Sequence, residues 1–240
     1  MTTQATIPLS RSVLAAVIWI HLFGNAALQA QNNDPVDVAK FDRPVKVACV
    51  GDSITQGVGA KRGMSWPSQL GKMLGEKWEV MNFGLSATTL MNSGNKPYQK
   101  CGKFKGAMES SPDVVVIMLG TNDTKPNNWK HFEKDYEKDY RDLVNDFAQL
   151  ESKPRIFVCY PPYIAKDGNW GINEPNTKDQ IPVVAKIAKD LKLGVIDVHA
   201  ALDGKDALIP DKVHPNTEGA ALIAQAVFKG LTGKAAPTGE

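Results

Sequence analysis

Four short polar segments carry the residues able to do covalent chemistry. They are Gly51-Asp52-Ser53-Ile54-Thr55, Asn82-Phe83-Gly84-Leu85-Ser86-Ala87-Thr88-Thr89, Gly120-Thr121-Asn122-Asp123 and Asp211-Lys212-Val213-His214. A serine hydroxyl is a weak nucleophile until a base takes its proton, so Ser53 requires an imidazole within reach. Of four histidines, His214 is the best base candidate, and Asp211, three residues earlier, is placed to orient the ring and stabilise imidazolium. Acyl transfer further requires donors for a developing oxyanion. The Ser53 N–H, the Gly84 N–H and the Asn122 side-chain amide are the candidates. Singly, each segment has an ordinary structural explanation: Asp52 and Ser53 suit a helix N-cap, Gly84 suits an unusual backbone angle, and Asp211 and His214 suit capping before the last helix.

What lifts them above that reading is the order of the elements that must hold them. Apolar runs alternate with amphipathic stretches five times. The runs Val45 to Val50, Trp78 to Phe83, Val114 to Leu119, Ile156 to Tyr160 and Val195 to Val198 read as strands. Residues 66–77, 103–110, 129–150, 182–191 and 216–230 read as helices, with Pro182 fitting a first turn. Val114 to Leu119 is apolar without alternation, as a strand covered on both faces should be. The pattern predicts an α/β fold, a three-layer sandwich around a central five-stranded parallel sheet. Such sheets bind ligands beyond the carboxyl ends of their strands, and each polar segment follows a predicted strand or leads into the last helix.

In that order the four segments resemble the signature blocks of the SGNH (GDSL-like) hydrolases, over a region from about Val45 to Phe228. The resemblance implies a flavodoxin-like SGNH hydrolase fold, with Ser53 as nucleophile, His214 as base and Asp211 as its orienter. It implies an oxyanion hole built from Ser53, Gly84 and Asn122, with no metal and no cofactor. Isoleucine and threonine at positions 54 and 55 replace the leucine-containing end of the older consensus.

Composition narrows the partners. The 240 residues carry 28 Lys and Arg against 26 Asp and Glu, a balance that gives no electrostatic reason to expect nucleic acid or a membrane surface. Arg11 precedes the apolar run from Ser12 to Ile20, and Ala30-Gln31 suits cleavage. Residues 1–30 are expected to be a signal peptide, making the protein secreted or periplasmic. A polar leader over 31–42, a hydrolase domain over 43–231 and a flexible tail over 232–240 are expected to follow. Three cysteines, none at CxxC spacing, form no complete disulfide framework and no zinc motif.

The expected substrate is a small or glycan ester. Loop asparagines lie among Tyr98, Trp129, Tyr163 and Trp170, and amides interleaved with aromatics suit sugar hydroxyls and the C–H face of a ring. Tyr98, Trp129 and Trp170 are therefore expected to contact substrate. The family resemblance tips the expectation towards O-acetyl groups on carbohydrate. A lysophospholipase or thioesterase is the alternative, weakened because no long apolar lid interrupts the loops. A metal-dependent phosphoesterase lacks its Asp-x-His and Gly-Asn-His segments here, and an idle carbohydrate-binding module would be expected to have lost Ser53, Asn122 or His214.

Overall fold

The structure, a computed structural model, describes Met1 and residues 33–237; the expected signal peptide lies almost wholly outside these residues. Five strands, β1 (Val45–Gly51), β2 (Trp78–Gly84), β3 (Val114–Met118), β4 (Arg155–Cys159) and β5 (Gly194–Ile196), form one sheet in the order β2-β1-β3-β4-β5. Every pairing is parallel. Both faces of the sheet are covered. On one, Val45, Val47, Cys49, Val114, Val116 and Phe157 pack against α2 (Trp66–Leu74), α7 (Val198–Leu202) and α8 (Thr217–Thr232). On the other, Ala48, Val50, Val115, Ile117 and Val158 pack against α3 (Gly102–Glu109), α5 (Phe132–Ala148) and α6 (Glu174–Leu191). The period-2 alternation of β1 supplies both cores from a single strand.

Three local expectations are corrected. The helix predicted over 129–150 is two pieces, α4 (Pro126–Trp129) and α5, separated at Lys130-His131. Helix α6 begins at Glu174 rather than Pro182, capped by Asn173, whose side chain accepts from Asn176 N–H. Pro182 stands inside it, where a ring costs a backbone hydrogen bond. Both Pro182 and Lys178, whose carbonyl loses its donor, are solvent-exposed, so water can take the donor's place.

The ends of the described chain are not loose. Val36 N–H donates to Leu231 O at 2.8 Å, the Asn33 side chain accepts from Val195 N–H at 2.7 Å, and Val36, Val38, Phe41 and Ala236 pack on the core. Of the expected leader (31–42) and tail (232–240), residues 33–42 and 232–237 lie against the folded body, and the rest lie outside the described residues. The described parts gather where the strands begin, against Trp78 and Phe228. The strands' carboxyl ends lie opposite.

Candidate active site

Gly51 ends β1, and the chain turns at once into the single-turn helix α1 (Ser53–Gln56). Asp52 is its N-cap, Oδ1 accepting from Ile54 N–H at 3.0 Å, so the capping role is real and coexists with another. Ser53 begins the helix with its side chain facing the segment before α8. Its Oγ lies 2.9 Å from His214 Nε2, and His214 Nδ1 lies 2.8 Å from Asp211 Oδ2. A carboxylate only accepts, so Nδ1 carries the hydrogen and Nε2 presents its lone pair to the serine hydroxyl. Asp211 Oδ1 accepts from the N–H groups of Val213 and His214, at 3.0 and 2.7 Å. Burial opposes its charge, but those N–H groups and the ring outweigh it and hold its pKa below the usual carboxylate range.

The expected oxyanion donors divide. Ser53 N–H, at the first position of α1, has no acceptor among the described residues. Asn122 is buried in the turn after β3, with Nδ2 donating to Thr88 O at 3.1 Å and one N–H left over. Gly84 is a correction. Its N–H donates to Asn82 Oδ1 at 2.8 Å, and a Cβ there would lie 2.2 Å from Gln56 N. Glycine serves close packing of β2 on α1, and its donor is already engaged. Sequence reasoning missed Ala87, three residues on. It is exposed, its φ is 66°, and its N–H has no acceptor among the described residues. A φ in the left-handed region is unusual for alanine, and here it leaves the Ala87 N–H exposed and unengaged among the described residues.

The aromatic residues divide as well. Trp170 is 57% exposed, with its ring centroid 5.6 Å from that of His214. Tyr98 is wholly buried and donates from its hydroxyl to Phe83 O at 2.8 Å; burial raises its pKa strongly, and it is a structural anchor rather than a substrate contact. Trp129 stacks on Phe132 with centroids 4.0 Å apart. It borders an open cavity of 490 Å³ with Lys130, Phe132, Glu133 and Asp179, none of them a member of the serine–histidine chain.

Two acids next to site residues in the chain, Asp52 and Asp123, are buried. Burial pushes Asp52 up to about 6, against the pull of Ile54 N–H and the nearby Thr121 side chain. Burial also pushes Asp123 up to about 7, against the pull of hydrogen bonds from Met91 and Leu90 N–H. His199, in α7, lies 2.8 Å through Nε2 from Glu174 Oε1. Among the described residues no group of three or more His, Cys, Asp or Glu side chains is arranged to hold a metal.

A parallel 2-1-3-4-5 sheet with a serine–histidine–aspartate chain at its carboxyl edge is the architecture of a serine hydrolase. The chain belongs to the GDSL-like lipase/acylhydrolase family, whose sequence profile matches residues 49–222. It is 39% identical to an acetylxylan esterase of Xylanibacter ruminicola over 205 residues, covering 76% of this chain and 42% of the relative. It is 24% identical to a multidomain esterase of Ruminococcus flavefaciens over 156 residues, 60% of this chain and 19% of that one. The chain thus spans less than half the length of these curated relatives. Among solved structures, a carbohydrate acetylesterase from Sinorhizobium meliloti superposes with TM-score 0.63 at 23% identity, covering 77% of this chain and 97% of the other. An acetylxylan esterase from Geobacillus stearothermophilus gives 0.61 at 23%, covering 79% and 94%. At such identities the likeness concerns the fold.

Proposed function

We propose that this protein is a serine esterase that removes O-acetyl groups from a carbohydrate. The observation that carries the reading is the hydrogen-bonded chain from Ser53 Oγ through His214 to Asp211. Ser53 Oγ attacks the acetyl carbonyl carbon while His214 Nε2 takes the hydroxyl proton. The carbonyl oxygen becomes an oxyanion, held by Ser53 N–H, the free Asn122 amide hydrogen and Ala87 N–H, the last replacing the engaged Gly84. Collapse expels the sugar oxygen, which takes the proton back from His214. Water then attacks the acetyl-serine with His214 again as base, releasing acetate and restoring the hydroxyl. Asp211 stays ionised throughout, as its lowered pKa allows.

The acetylated-glycan substrate is supported by the acetylxylan esterase relative and by Trp170, an exposed indole beside the base on which a sugar ring can stack. Export to the periplasm or medium is supported by the apolar N-terminal run alone. The decisive experiment pairs Ser53→Ala with a serine-directed phosphonate. The variant should lose ester turnover and labelling together while unfolding at nearly the parental temperature. Full activity, or phosphonate on another residue, sinks the assignment.

A further inference from the structure

The loops around Ser53 are charged one-sidedly. After α1, residues 57–65 contain Lys61 and Arg62 and no acid; after β2, residues 85–100 contain Lys96 and Lys100 and no acid. After β3, residues 119–131 contain Lys125 and Lys130, and their one acid, Asp123, is wholly buried and engaged by Leu90 and Met91 N–H. The other side differs. Residues 160–173 hold Lys166 against Asp167, and residues 197–216 hold four aspartates against two lysines.

Lys61, Lys96 and Lys125 come from segments that touch the site. Gly59 packs so tightly on the base that a Cβ would lie 2.9 Å from His214 Cβ, and Lys61 N–H donates to Thr217 Oγ1 at 3.0 Å. Lys96 Nζ donates to Ser86 O at 3.0 Å, next to Ala87. Lys125 N–H donates to Asn122 O at 3.4 Å, and its charge is felt by the carboxylate of Asp52, the residue before Ser53. Among the described residues none of Lys61, Arg62, Lys96 and Lys125 has a carboxylate at salt-bridge distance. Unpaired charge of one sign beside a cleft raises the local concentration of the opposite sign.

We infer that the substrate is an acidic acetylated glycan, whose uronate carboxylates lie against Arg62, Lys96 and Lys125 while an acetylated sugar sits between Ser53 and Trp170. The inference rests on the deacetylase reading and narrows it. The side that carries Trp170 takes the ring; the basic side takes the charge.

The test compares kcat/KM on acetylated xylo-oligosaccharides with and without uronic acid branches, using an aryl acetate as reference. At about 20 mM salt the uronate substrate should be favoured by roughly fivefold or more, a preference that collapses near about 0.5 M as screening shortens the reach of the cations. Arg62→Gln and Lys125→Gln should each cut the ratio between the two glycans by roughly two- to fivefold. Lys189→Gln, an exposed cation on α6, should leave it alone. Equal turnover of both glycans, independent of salt, overturns the inference while leaving the deacetylase standing. Aryl acetate cleavage with no acetate from either glycan overturns both.

Discussion

The two walls of the active-site mouth are built differently. The wall after β2, residues 85–100, is pinned by acceptors reaching in from other elements. Asp123 takes the N–H groups of Leu90 and Met91, Asp139 that of Asn92, and Asn128 that of Asn95. All three acceptor residues are buried. The wall after β4, residues 160–173, depends more on backbone conformation. Asp167, Gly168, Trp170 and Gly171 have positive φ, Asn169 and Ile172 exchange backbone hydrogen bonds, and Glu174 fastens the near end through Ile164 N–H. Both walls also bury apolar side chains, Leu90, Met91 and Tyr98 in the first and Ile164 and Ile172 in the second, so what differs is whether buried polar side chains or the loop's own turns fix the backbone. The first way is costly to disturb but holds the segment after Ala87 and Thr88 still; the second localises damage around Trp170.

Asp123→Ala should test this contrast most severely. It strands two buried N–H groups, each worth about 1–3 kcal/mol when left unsatisfied, so urea unfolding should report a loss of roughly 3 kcal/mol. A loss below about 1 kcal/mol would mean that the first wall does not depend on its carboxylates. Next, Asn122→Ala should lower kcat on an aryl acetate by about 10²–10³ with little change in KM. Normal kcat would leave Asn122 as a support for Thr88 and nothing more.

A smaller effect is expected at Asp52. Its folded pKa of about 6 lies above the ordinary carboxylate value. Between those two values the unfolded chain has released its proton and the folded chain has not, so stability falls as pH rises through that window. The penalty is fully present above about 6. Asp52→Asn keeps an acceptor for the helix cap and removes the buried charge. At pH 8 it should raise the Tm by about 2–4 °C, as a gain of about 1 kcal/mol would in a chain of this size; at pH 4 the gain should vanish. A pH-independent shift would remove ionisation from the explanation. Smallest in stability is Trp170→Ala on the second wall. Unfolding should move by less than about 0.5 kcal/mol, while KM for an acetylated oligosaccharide rises several-fold and that for a small aryl acetate much less. Equal changes for both substrates would deny Trp170 a part in sugar binding.

The strands were legible because a parallel sheet covered on both faces demands unbroken apolar runs, and Val114–Met118 has one. The segments carrying Ser53, Asn122 and His214 were legible because strand order places them on one rim. Gly84 was misread because a glycine on a catalytic loop invites a backbone role, whereas this one makes room for Gln56. Ala87 carries no mark in its residue type; only its φ reveals it. The first half of α6 was missed because residues 174–181 lack an apolar stripe, although Asn173 and Pro175 were start signals in plain view. Tyr98 and Trp129 expose the limit of reading aromatics in polar loops, since one ring anchors the first wall and the other lies on Phe132.

The meeting of Val36 with Leu231 and of Pro35 with Gly233 has a consequence for how the molecule can be held. Both ends of the folded body emerge at the pole opposite the mouth. A tether on either end, to a surface or to another globular unit, leaves the reactive pole facing outward. A short covalent bridge between the two ends would need to cross only a narrow gap, so the polypeptide could be closed into a ring and cut open in a surface turn elsewhere without moving Ser53.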